Sequence, residues 1–256
     1  MKKKCFVFCF QVSFERMWMI CMKEWRQFFS SLTGYIAIIL FLFLMGLFLF
    51  VFPASNILDF GYASLENYFT LAPWIMLFLI PTITMRSIAD EYKTGTFEIL
   101  QTMPVSNAKI VWGKYAGCLL VVVIALLPTI IYAICLQQLS SKEGIDIGAT
   151  IGSYIGLFFL AGVYTAVGIC FSSFTNNTVV AFITAAFVCF LLYNGFEALS
   201  KLPVFANGAD YYIEMLGINF HYRSISRGVL DTRDLLYFAV MIVLFLLITQ
   251  RNLMKR

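Results

Sequence analysis

Six apolar stretches recur along the chain, at about Tyr35–Phe52, Tyr68–Met85, Ile110–Cys135, Ile151–Phe171, Val179–Phe196 and Leu235–Thr249, separated by polar or charged segments. A helix rises about 1.5 Å per residue, so about 20 apolar residues cross the hydrocarbon core of a bilayer. The pattern therefore predicts an all-α polytopic membrane protein of six transmembrane helices. Pro73 and Pro81 lie inside the second stretch and Pro128 inside the third. Pro128 is expected to kink its helix, because proline has no amide proton to donate. The sixth stretch is short and is expected to start nearer Asp231 and Asp234, acids that suit a first helical turn.

Ahead of the first stretch, residues 14–32 read as an amphipathic helix. Phe14, Trp18, Cys21, Met22, Trp25, Phe28 and Phe29 recur at helical spacing among Glu15, Arg16, Lys23, Glu24, Arg26 and Gln27. Trp on an apolar face beside basic residues suits a membrane surface. Lys2, Lys3 and Lys4 precede it without a small-residue cleavage site downstream, which favours a basic cytoplasmic tail over a leader peptide. The chain thus divides into a tail with an interfacial helix at 1–32 and a six-span domain at 33–256.

Composition supports the membrane reading. The 256 residues are 61% apolar and 12% charged, with a mean hydropathy of +0.86. A soluble domain is about half apolar and a quarter charged. The seven cysteines form no CxxC or Cys/His cluster, and His221 is the only histidine, so neither a metal site nor a disulfide framework is expected. Lys and Arg set the orientation. With the amino terminus inside, 13 of the 18 basic residues fall on the cytoplasmic side and only Lys142, Lys201, Arg223, Arg227 and Arg233 outside. Both termini are therefore expected in the cytoplasm.

The central parts of the six stretches carry no Asp, Glu, Lys, Arg or His. Lys114 sits near a cytoplasmic end, where its ammonium is expected to snorkel to water. Ion-coupled carriers keep ionisable groups at mid-membrane, so a secondary transporter and an intramembrane hydrolase are disfavoured. An ion channel wants a polar pore lining, which these spans offer sparsely. Gly148, Gly152 and Gly156 share one helix face entering the fourth span. Such a face serves close packing either within the subunit or between subunits.

The loop at 86–109 is the most informative segment. Gly95 can start a short helix with Glu98 in its first turn, Phe97, Leu100 and Gln101 or Met103 projecting at helical spacing, and Pro104 as its end. That arrangement presents an aromatic knob, which can lodge in a groove on a soluble partner. The run Glu91-Tyr-Lys-Thr-Gly-Thr-Phe-Glu98-Ile-Leu-Gln-Thr-Met-Pro104, followed by Lys109, Trp112, Gly113 and Lys114, resembles the coupling-helix segment of ABC-2 export permeases. The resemblance implies a type V exporter-like fold with an amphipathic amino-terminal helix and short helices in the outer leaflet before the last span. It also implies an alternating-access mechanism driven by a separate ATPase subunit that binds ATP and Mg, and a second permease completing a dimer. On this resemblance Glu91, Lys93, Gly95, Thr96, Phe97, Glu98 and Leu100 would contact the ATPase. A narrower resemblance, to permeases associated with gliding motility, rests on Lys23–Ser30 and Ser224–Asp234 and implies an accessory subunit.

The chain itself has no phosphate-binding loop, since Gly113-Lys114 is followed by Tyr115 and position 108 is Ala. No cofactor and no nucleic-acid partner are expected. In the outer segment 198–234, Arg223 and Arg227 lie four apart and could share a face toward an anionic substrate or a lipid headgroup. A scaffold that anchors a motility or secretion machine without moving a substrate is the competing reading. The presence of an ATPase partner separates the two.

Overall fold

The computed structural model describes residues 2–52, 64–102, 105–140, 144–202, 210–228 and 231–255, without the side chains of 2–14, 16 and 101. Thirteen α-helices account for most of them: α1 (Lys2–Phe29), α2 (Leu32–Phe50), α3 (Glu66–Thr84), α4 (Ala89–Thr94), α5 (Thr96–Thr102), α6 (Asn107–Leu126), α7 (Ile130–Leu139), α8 (Ile147–Phe174), α9 (Thr178–Phe190), α10 (Phe196–Ser200), α11 (Asp210–Met215), α12 (Ile218–Ser226) and α13 (Thr232–Lys255). Six stretches are long and apolar enough to cross a membrane: α2, α3 with α4, α6 with α7, α8, α9 with α10, and α13. The fold is that of an all-helical, six-span membrane protein. The chain crosses the bundle alternately, which leaves α1, α4, α5 and the end of α13 at one end, here the basal end. Residues 51, 52, 64 and 65, residues 140 and 144–146, α11 and α12 lie at the distal end.

Helix α8 is the spine. It is 78% buried over its apolar window, against 22% for α2, α9 and α13, and it packs on α3, α6, α9, α12 and α13. Small residues permit this approach. A Cβ at Gly168 would collide with the Thr84 hydroxyl of α3, and one at Gly162 would press on Ile242 and Tyr115. Gly152 and Gly156 meet Gly228, Ile225 and Tyr222, so this glycine face seats α12 within the subunit. Gly148 has only its own N-cap Asp146 nearby. A second glycine pair, Gly113 and Gly117 of α6, seats α1 through close contacts with Ile20, Cys21 and Glu24.

Proline breaks fall where the pattern places them. Pro128 ends α6 in a 3-10 turn at Leu127–Thr129 before α7 resumes. The polar atoms at this break are met by Tyr68, whose Oη donates to Thr129 Oγ1 at 2.8 Å, and by Tyr154, which donates to the Thr129 carbonyl at 3.0 Å. Pro73 leaves the carbonyl four residues earlier, that of Phe69, without its helical donor. Tyr222 of α12 supplies one at 2.7 Å. Burial pushes the Tyr222 phenol well above its ordinary range, so it remains a donor. The fifth span carries a π turn at Leu191–Gly195, which the apolar pattern does not foreshadow. The last span begins at Thr232 with Asp234 in its first turn. Met103, Pro104, Lys142 and Phe205 lie outside the described residues.

The Tyr222–Phe69 bond gives a double-mutant test. Tyr222→Phe strands a buried carbonyl and is expected to cost about 1–3 kcal/mol. In a Pro73→Ala background the helix supplies its own donor, and the penalty should largely vanish. Thermal unfolding of the detergent-solubilised protein measures the difference.

Candidate functional site

Helices α1, α3, α4, α6 and α8 converge at the basal end around one buried lysine. Lys114, in the second turn of α6, is fully buried. Its Nζ lies 2.6 Å from Glu24 Oε1 of α1 and 2.9 Å from Glu91 Oε2 of α4, and donates to the Ser87 carbonyl at 2.5 Å. The other oxygen of Glu91 accepts from Lys23 at 2.6 Å. Two ammonium groups thus balance two carboxylates. Neutral bookkeeping matters here, because a lone charge in such a place would cost several kcal/mol.

The turn between α3 and α4 is tied to the spine as well. Ser172 near the end of α8 accepts from the amides of Ile88 and Ala89 at 3.2 and 3.0 Å and donates to the Met85 carbonyl at 3.0 Å. One hydroxyl therefore meets backbone groups that the end of α3 and the start of α4 leave open. Arg86 reaches across to Thr33 at 2.8 Å and Ser31 at 3.3 Å in the elbow between α1 and α2. The 86–94 segment is consequently bonded to α1, to the elbow, to α6 and to α8. A displacement of α4 acts on all of them.

The sequence-predicted contact residues separate into two groups. Lys93, Gly95, Thr96 and Glu98 are exposed, as is Ile99 at 62%. Gly95 sits at φ +71°, the left-handed conformation that ends α4 and lets α5 start at once. Glu91, Phe97 and Leu100 are buried. Phe97 is not an outward knob: its ring meets Tyr92 edge-on at 4.8 Å and fastens α5 to α4. An aromatic side chain on a two-turn helix buries more area inward than outward, which the helical spacing alone does not decide. Lys114 does not snorkel either, because Glu24 and Glu91 provide inside the bundle what water would have provided. No spacing in the sequence groups Lys23, Glu24, Ser172 and Lys114 as a set. The one available signal was an isolated charge near the start of an otherwise apolar helix.

At the distal end, Arg223 and Arg227 line the same cavity. Arg223 lies 3.5 Å from Glu197, which also pairs with Lys201 at 2.7 Å. His221, which has no evident partner in the sequence, bridges Asp234 at 2.7 Å and the Met215 carbonyl at 2.9 Å and stacks on Tyr237. It joins α11, α12 and α13 as a structural strap.

A family model described as ABC-2 family transporter protein matches residues 18–213. The chain belongs to the ABC-2 family of transporter proteins. The matched range starts inside α1 and ends in α11, so it includes the whole basal joint. No curated protein matches the chain. An ABC-2 permease is the membrane component of an ABC transporter and works with an ABC ATPase subunit in a lipid bilayer. In this permease, the joint around Lys114 is the place where α1, the α4–α5 segment, α6 and α8 are mechanically united.

Lys114→Met leaves Glu24 buried without its counter-charge and Glu91 with Lys23 alone. It is expected to destabilise the permease by about 3–5 kcal/mol. Lys23→Met, which removes a half-exposed partner, should cost about 1 kcal/mol or less. Thermal unfolding of both variants in the same detergent checks the ratio.

Proposed function

We propose that the permease forms one half of an ATP-driven exporter, and that its ATPase docks on the exposed side of α4 and α5. Lys93, Thr96, Glu98 and Ile99 form the docking face. Glu91, Phe97 and Leu100 hold that face to the bundle, so they act through the fold and not by touching the ATPase. The observation that carries this reading is the four-way bonding of the 86–94 segment, centred on Lys114 and Ser172. ATP and Mg belong to the partner, whose dimerisation supplies the stroke. Motion of α4 then passes through Glu91 to α6 and α1, and through Ser172 to α8, switching the bundle between inward- and outward-closed arrangements.

The excess of Lys and Arg at the basal end supports a cytoplasmic basal end, with both termini on the cytoplasmic side of a bacterial inner membrane. A second permease, identical or related, completes the transporter. The resemblance of Lys23–Ser30 and Ser224–Asp234 to the gliding-motility-associated permease of Bacteroidota favours service in gliding motility with an accessory subunit. Arg223 and Arg227 face the extracytoplasmic side, where their contact is a substrate or a lipid headgroup.

Co-purification with the cognate ATPase separates docking from structure. Ile99→Asp is expected to weaken ATPase capture by about tenfold or more, with the permease's own stability unchanged. Phe97→Ala is expected to lower stability by about 3 kcal/mol and to lose coupling only as a consequence. Full capture by Ile99→Asp would remove this face from consideration. A permease that captures no ATPase even as wild type would favour the scaffold reading.

A further inference from the structure

We propose that the distal half of the subunit binds a phospholipid, with a zwitterionic headgroup in the cavity between α3, α8, α10 and α12 and an acyl chain in the adjoining groove between α7 and α8. The cavity has a volume of about 640 Å³ and the groove about 720 Å³. Ile145 and Thr150 line both, so the two adjoin. Their chemistry differs sharply. Glu66, Asp146, Arg223 and Arg227 line the cavity, and Trp74 and Tyr193 add an aromatic pair 5.7 Å apart. Along α3, Glu66, Thr70 and Trp74 repeat every four residues, so one helix face grades from charge to indole over about 12 Å. The groove is apolar, with Ile130, Ile134, Ile151 and Phe158 between 42% and 55% exposed.

An ion would have no use for the groove, and an oily molecule none for the charges. An amphiphile uses both. The signs of the charges narrow the class. Arg227 and Glu66 have no ion pair among the described residues, and Arg223 has only the 3.5 Å contact with Glu197. A guanidinium fits a phosphate by its forked donors, and a free carboxylate fits an ammonium. A head bearing phosphate and ammonium answers both, whereas a purely anionic head would leave Glu66 and Asp146 opposed to it. Assignment to the outer leaflet rests on the orientation proposed above. The binding itself does not.

The test uses the full-length permease in lipid nanodiscs with a phosphatidylethanolamine that carries a photoreactive group in its acyl chain. Crosslinks are expected to concentrate in residues 130–158. Unlabelled phosphatidylethanolamine should compete about tenfold better than phosphatidylglycerol, as one well-placed charged contact would give. Ile134→Trp, which fills the groove, should remove these crosslinks. Leu244→Trp, on the exposed face of α13, should leave them. Glu66→Gln, at an exposed position, removes the carboxylate that answers the ammonium and should reduce the preference for phosphatidylethanolamine over phosphatidylglycerol by several-fold even if Ile134→Trp disturbs the fold. Crosslinks spread evenly over α2, α9 and α13, or equal competition by the two lipids, would overturn the proposal. If the orientation is wrong and the site is right, leaflet-selective labelling will move the signal to the other leaflet without altering its place in the sequence.

Discussion

A single ammonium group organises the basal half of this protein. Lys114 cannot stay charged inside a helical bundle unless opposite charge is delivered to it, and the carboxylates come from α1 and α4, elements distant in sequence. The requirement is stringent because removing water makes each unpaired charge expensive. It forces α1, the basal segment after the second span and the third span to keep fixed relative positions. Gly113 and Gly117 on either side of Lys114 make room for α1 to come close enough. Charge and small side chains thus cooperate: the glycines let the backbones approach, and the ion pairs select which partner approaches.

The same logic of obligatory satisfaction governs the bundle interior. Apolar side chains gain little from packing on one another in lipid, so close backbone contact and polar bonds carry much of the specificity. Gly168 accepts Thr84 against the α8 backbone, and Ser172 bonds the backbone of the 85–89 turn. At the distal end the carbonyl freed by Pro73 receives the Tyr222 hydroxyl, which fixes α12 over the spine. Pro73 therefore produces an open backbone group, and a side chain from another element closes it.

Membership in the ABC-2 family explains why a chain without a phosphate-binding loop should contain so firmly tied a basal segment. A permease receives its work from outside, through a short stretch of surface. That surface must be both exposed and rigidly connected. Lys93, Thr96, Glu98 and Ile99 meet the first condition, and Glu91, Phe97 and Leu100 meet the second.

The sequence by itself determined the class of solvent, the number of spans, the break at Pro128 and the position of the segment between the second and third spans. All of these follow from hydropathy, helical rise and backbone chemistry, which are local properties. It also marked Gly152 and Gly156 as a packing face. Only the tertiary structure decided whose backbone that face receives, that Phe97 turns inward, and that Lys114 is held by Glu24 and Glu91 and not by water. The physical reason is common to all three. A side chain's environment depends on which distant element is placed beside it, and spacing along one helix specifies a face but not its neighbour.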